Sequence, residues 1–339
     1  MFTHPTTQTI LQPDKIQRAL IEALATGAVV SGNDLSYQLG ISRAAIWKRI
    51  MSLRALGLEV SGNAGGGYQL PFPYNTLDAD VIASKLSAQA RELIADVDVA
   101  WQVDSTNSAL MRRAPVDHRF GSALLVEIQT AGRGRRGRVW QSAIGGSLVL
   151  SLRWNFDRGM SALAGLSLVA GLSVVAVLRD FGIDGVGLKW PNDLVADRRK
   201  LAGILVEIGG EAQGPCHAVI GIGINMRIDP ATAAGIDQPW IDLHSIAPGG
   251  LVPNRNWLAA ALLSQLAQSL IQFDIEGFAS FTDEQARYDA LLGKRVCVDA
   301  NSGLRCGIAI GVDPRGALRV RGDDGEFLVE TGEVSVRAE

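Results

Sequence analysis

The chain has 339 residues, 47% of them hydrophobic and 20% charged, which is enough for two or three domains with a substantial core. A net charge of −3 excludes a global basic field for nucleic acid, so any such contact must come from a local patch. The three cysteines, Cys216, Cys297 and Cys306, form no zinc pattern with the four histidines and read as unpaired thiols, as in a reducing cytoplasm.

Residues 1–13 read as a flexible lead with no secretory pattern. From Asp14, Ile16, Leu20, Ala23 and Leu24 fall on one helical face until Gly27. Ser31 caps a short second helix that Gly40 closes, and Ser42 caps a third over Arg43 to about Leu56. Leu58–Ser61 and Tyr68–Leu70 flank a glycine-rich tip and predict a hairpin. This order is the plan of a winged helix-turn-helix over 14–70. Its third helix carries Arg43, Lys48, Arg49 and Arg54 and no acid. Ser42, Arg43, Trp47 and Lys48 are placed to meet DNA. The wing tip, Gly62 to Gly67, has no Lys or Arg, which lowers the expected phosphate contacts. A small packing module is the alternative.

Prolines 71 and 73 mark a linker over 71–77. A helix follows over 78–86, then a strand over 97–103 that ends in Asp104-Ser105-Thr106-Asn107. Hydroxyls and an amide at a strand-to-helix junction suit a ligand's polar end, though an ordinary cap looks the same. After another strand comes Gln129-Thr130-Ala131-Gly132-Arg133-Gly134-Arg135-Arg136-Gly137-Arg138-Val139-Trp140. So many cations on so flexible a backbone make sense when an anion orders them. Ser161 to Leu178 is apolar enough to span a membrane, but interrupting Gly and Ser residues favour a buried helix. Lys189-Trp190-Pro191-Asn192-Asp193, a hairpin turn at 197–200, and apolar strands over 201–208 and 218–225 follow without alternating helices, which predicts a mixed sheet. Gly203 inside its strand implies a close approach. Residues 226–255 are irregular. A helix then covers about 257–273, and five short strands after Gly293 predict an SH3-like barrel. The domain plan is therefore 14–70, 78–288 and 289–339, in class α+β.

These strand ends supply cations, amides and a carboxylate but no nucleophile, phosphate loop or dinucleotide fingerprint. That inventory fits attack on a nucleotide phosphate by the substrate's own carboxylate, with Lys200 holding the two anions together. Asp193 and Asn225 offer the hard oxygens a Mg²⁺ takes.

At Asp104–Asn107, Gln129–Trp140, Lys189–Asp193, Arg199–Glu207 and Gly221–Asn225 the chain resembles the bacterial bifunctional biotin–protein ligase/biotin operon repressor family. The resemblance extends to Ser42–Ile46 and to Gly332–Arg337. It implies a central domain like class II aminoacyl-tRNA synthetases. It also implies that biotin and MgATP give biotinoyl-5′-AMP, whose acyl group passes to a lysine of the biotin carboxyl carrier protein of acetyl-CoA carboxylase. Ser105, Thr106, Asn107, Gln129, Arg133, Gly134, Arg135 and Lys200 would then meet biotin, with Arg133, Arg135 and Lys200 catalytic. Arg133, Arg135, Arg136, Trp140, Lys189, Asn192, Asp193 and Asn225 would serve ATP, and Asp193 and Asn225 the Mg²⁺. The family also implies operator DNA as a partner, a homodimer when biotinoyl-AMP is bound, and no membrane. A ligase without operator control, a lipoate-type adenylate ligase and a non-catalytic repressor fit parts of the same pattern.

Overall fold

A computed structural model describes residues 12–63, 65–113, 121–300, 303–330 and 335–338. Most of the lead, Ala64 at the wing tip and positions 332–334 of the C-terminal run lie outside the described residues.

The N-terminal module follows its caps. Asp14, Ser31 and Ser42 each accept a backbone N–H at the starts of α1 (Lys15–Leu24), α2 (Gly32–Leu39) and α3 (Arg43–Ala55). Gly40 ends α2 at φ 62°, where a side chain would be strained. β1 (Ser61–Asn63) and β2 (Gly67–Gln69) form the antiparallel wing, with β1 beginning only at Ser61. The basic bias of α3 is partly spent inside the module. Arg49 pairs with Asp14 at 2.6 Å, and Arg54 donates to the carbonyls of Val60 and Gly62, bracing the wing.

The 71–77 segment is packed, not a solvated spacer. Phe72, Tyr74 and Leu77 are buried, and Phe72 and Tyr74 share one apolar cluster with Leu24, Ile46, Leu58, Trp101, Ile128 and Ile144. Arg255 pairs with Glu127 at 2.9 Å, both almost fully buried, and also donates to the Asn75 carbonyl. Removing one partner of such a pair costs about 3–5 kcal/mol.

In the centre, α4 (Ala79–Lys85) and α5 (Ala88–Leu93) lead into β3 (Ile94–Val103), α6 (Thr106–Arg112), β4 (Gly121–Gln129), β5 (Ser147–Phe156), α7 (Leu166–Asp180), β6 (Gly187–Lys189), β7 (Asp193–Ala196), β8 (Arg199–Gly210) and β9 (Cys216–Asn225). The seven strands form one sheet in the order β3-β4-β5-β9-β8-β7-β6. Only β3 and β4 run parallel, so the sheet is mixed, as the run of strands without crossovers predicts. The short helices α8 (Pro230–Ala233) and α9 (Leu243–Ile246) interrupt the irregular segment after β9. α10 (Arg255–Glu276) and α11 (Thr282–Tyr288) complete the layer. The apolar stretch around α7 is a buried helix, joined to α10 by a Ser173–Ser269 hydrogen bond of 3.0 Å.

β10 (Arg295–Ala300), β11 (Gly303–Val312), β12 (Leu318–Gly322), β13 (Gly325–Val329) and β14 (Ser335–Ala338) make the C-terminal sheet, all neighbours antiparallel. Contrary to the expectation from spacing, the three cysteines are not all unpaired. The register sets Cys297 directly opposite Cys306, and the two form a disulfide, while Cys216 stays free and buried. Linear spacing hides this, because nine residues of separation suffice when both ends lie on adjacent strands.

Candidate active site

One cavity of about 780 Å³ opens beside the sheet, within the size range of small-molecule sites. Ser105, Thr106, Asn107, Gln129, Arg133, Gly134, Arg135, Arg136, Trp140, Lys189, Asn192, Asp193, Lys200 and Asn225 all line it. The fold thus gathers every central residue that the resemblance assigns to biotin, ATP or Mg²⁺, although they span more than a hundred positions.

One side is built on the start of α6. Ser105 caps that helix, so the hydroxyl also has a purely structural role. Gln129 accepts from the Thr106 N–H at 2.9 Å. Asn107 donates to the Leu205 carbonyl and to Glu207. Ser151, fully buried on β5, sits 2.7 Å from the Thr106 hydroxyl and 2.6 Å from the Asn107 carbonyl oxygen. Asp104 turns away to a bidentate pair with Arg112, whose hydrogen bonds hold its carboxyl below the usual carboxylate range.

The arginine-rich loop crosses the opening. Its ends close on each other: Arg133 bridges to Val139, and the Trp140 N–H donates to the Gly132 carbonyl at 2.9 Å. Arg133 pairs with Glu207 at 2.8 Å. Arg135 donates to Asn192 at 3.3 Å. Burial lowers the Arg135 guanidinium pKa, with Arg136 adding to that and Asp193 opposing it. An anion in the cavity would relieve that cost.

Glycines shape the floor. A Cβ at Gly221 would lie 2.2 Å from the Asn107 carbonyl oxygen, and one at Gly223 would lie 2.5 Å from the Trp140 ring. The Gly-x-Gly of β9 therefore presents two bare positions on one face of a strand, one under each of those side chains. The close approach implied by Gly203 is also Trp140, at 3.1 Å, with Lys200 beside it.

The polar end holds a short pair, Lys200 Nζ to Asp193 Oδ1 at 2.8 Å, with Lys200 5.6 Å above the Trp140 ring. Asn192 is stitched to β8 in both directions through Ile204. Asn225 donates to the Lys200 and Ile241 carbonyls. Trp190, inside the same run, borders the cavity too. It is buried and donates to the Gly316 carbonyl of the C-terminal domain at 2.9 Å.

Sequence reasoning missed three parts. Ser151 lies within an apolar strand and carries no motif, and Glu207 closes the Arg199–Glu207 run without any role assigned to it. The irregular segment after β9 had no assigned role, yet Gly235, Ile236, Asp237, Gln238, Pro239 and Trp240 wall the cavity. Backbone bonds from Lys200 to Pro239 and from Ile241 to Lys200 fix that wall to β8.

A profile of the biotin/lipoate A/B protein ligase family matches residues 100–225, and an HTH domain profile matches 16–69. The chain is 41% identical over 319 residues to the bifunctional ligase/repressor BirA of Salmonella typhimurium, covering 94% of this chain and 97% of that one. This chain belongs to the bifunctional ligase/repressor family. Its counterpart in Escherichia coli is 38% identical over 97% of this chain and 99% of its own. A solved biotin protein ligase from Aquifex aeolicus, in complex with biotin and ATP, superposes with a TM-score of 0.62 at 28% identity, covering 72% of this chain and 99% of that one. The family is one of ATP-dependent biotin ligases joined to a helix-turn-helix repressor module, and the two matched regions coincide with the cavity-bearing sheet and the N-terminal module.

In this ligase/repressor the face of α3 that would meet DNA carries Arg43, Trp47 and Lys48, all exposed, with Trp47 at 48%. Ser42 is exposed as well, but its hydroxyl accepts the Ala45 N–H as the helix cap.

Proposed function

We propose that the cavity holds biotin against the start of α6 and ATP against the Lys189–Asp193 end, with the arginine loop over both. The observation that carries this is one continuous cavity that joins an amide and hydroxyl cluster to a cation and carboxylate cluster. A biotin carboxylate oxygen attacks the α-phosphorus of ATP, the bond to the β-phosphate oxygen breaks, and pyrophosphate leaves with the electron pair. Lys200 and Arg135 screen the two anions, which in a dry site would repel by several kcal/mol. Mg²⁺ fits this end: Asp193 and Asn225 supply an anionic and a neutral oxygen, few enough ligands for an ion that keeps water and phosphate oxygens. Bound there, it would neutralise phosphate charge. Among the described residues no cluster of three or more acidic, His or Cys side chains offers a full protein cage. A lysine amine of the acceptor then attacks the acyl carbon of biotinoyl-AMP; AMP leaves, and the amine loses its proton.

The acceptor in this reading is the biotin carboxyl carrier protein of acetyl-CoA carboxylase, in the cytoplasm. With biotinoyl-AMP bound, the chain forms a homodimer on operator DNA through Arg43, Trp47 and Lys48 of α3. The decisive assay is exchange of labelled pyrophosphate into ATP. Biotin should support it; exchange with lipoate and none with biotin would overturn the substrate assignment.

A further inference from the structure

Glu207 stands behind the cavity wall and is not among its lining residues. Its carboxylate nevertheless gathers two side chains that do line it. Oε2 accepts from Asn107 Nδ2 at 3.0 Å, and the Arg133 guanidinium donates to Oε1 and Oε2 at 2.8 and 2.9 Å. Asn107 belongs to α6 and Arg133 to the loop, so this one acid ties the loop to the helix. The chain of contacts continues from Asn107 to Ser151, from Ser151 to Thr106, and from Thr106 to Gln129, the residue where the loop leaves β4. The loop is thus held at its root by Gln129 and farther along by Arg133, within one closed circuit of polar contacts.

A half-exposed ion pair alone contributes little. This one is not alone. Its carboxylate is shared with a buried amide, and its cation sits in a loop where Arg135, Arg136 and Arg138 repel it. A carboxylate at position 207 therefore offsets charge the closed loop would otherwise have to separate.

We propose that Glu207 is a positioning residue that latches the arginine loop shut over the acyl-adenylate. The proposal rests on reading the cavity as the adenylate site. Without the carboxylate, Arg133 loses its anchor and Asn107 loses an acceptor, so the loop opens and the mixed anhydride escapes. Lys200, Asp193 and Arg135 keep their contacts, so the effect falls on retention and on biotin KM more than on turnover.

The test uses full-length Glu207→Gln, with Glu207→Asp as the conservative variant. Biotin-dependent pyrophosphate exchange gives KM and maximal rate, and chase of a preformed labelled adenylate complex gives the escape rate. In Glu207→Gln, biotin KM and adenylate escape should each rise about tenfold, the loss of one charge-assisted hydrogen bond. The maximal exchange rate should fall by a smaller factor. Arg133→Gln should raise escape likewise, and the double variant should be no leakier than either single. Unchanged escape, or fully additive escape in the double variant, overturns the latch. Should Glu207→Gln fold poorly, as a lowered melting temperature with lost exchange would reveal, Glu207→Asp decides: intermediate escape supports the latch and wild-type escape overturns it. Absence of biotin-dependent exchange in the wild type would instead overturn the site reading.

Discussion

Lys200 is the residue on which the chemistry turns most directly. It lies 2.8 Å from Asp193 and above the Trp140 ring, and its backbone N–H donates to the Pro239 carbonyl. The ammonium can therefore follow charge while its main chain stays fixed. Lys200→Ala removes that cation and leaves the strand bonds intact. Adenylate formation, read by pyrophosphate exchange, should fall about 100- to 1,000-fold, as expected when one preorganised charge donor is lost. The melting temperature should change by no more than a few degrees; full retained exchange would remove Lys200 from the mechanism. Lys200 was legible in the sequence because it is the last of three consecutive cations, Arg198-Arg199-Lys200, set directly against an apolar strand. Glu207 and Ser151 were not, because each is a single polar residue whose partners arrive only when β5, β8 and α6 come together. The cysteines show the same limit, since strand register alone pairs Cys297 with Cys306.

At the scale of elements, the caps and glycines made α1, α2, α3 and α6 readable from local chemistry alone. The wall formed by 235–240 was not, because a proline-rich segment with no periodicity gives no sign of where it folds back. Strand β9 differs between its ends, with the glycine floor near Asn225 and His217 near its start. His217 Nε2 is buried with no hydrogen-bond partner among the described residues. Burial, then the charge of Arg153, lowers the imidazole pKa below its ordinary value. The unfolded chain therefore takes up a proton at higher pH than the folded one. Stability from this site is complete above about pH 6.5, the unfolded value, and is lost as pH falls toward the folded pKa. Thermal melts from about pH 7.5 down to about 5.5 should show a decline that is shallower in His217→Gln. An equal slope in both proteins would exclude His217 as its source.

Across the whole molecule, the N-terminal module is docked by a shared core and not merely tethered. Tyr74 donates its N–H to the Ala25 carbonyl of the module and lies in the same cluster as Ile144 of the centre. The Arg227 guanidinium sits 4.9 Å from the Phe72 ring centroid, and the N–H groups of Met226 and Arg227 both donate to the Gly146 carbonyl. Asn225, which lines the cavity, lies two residues before Arg227. A rearrangement at Asn225 thus has two residues to travel before it presses on the segment that carries the helix-turn-helix. If that contact transmits ligand binding, it contributes a coupling free energy, and such terms are typically about 1–3 kcal/mol, roughly a 5- to 150-fold change in affinity. Phe72→Ala removes the ring without changing any residue that lines the cavity. Although it also opens a hole in the core shared with Ile46 of α3, the gain from ligand is read within each protein and cancels that cost. Gel shifts with operator DNA should show wild-type binding tightened strongly by biotin with ATP. The variant should show a clearly smaller gain, while its pyrophosphate exchange persists. Equal gains in both proteins would place the coupling elsewhere. DNA binding indifferent to biotin and ATP in the wild type would mean that the two halves of the chain, though packed together, are not linked by the ligand at all.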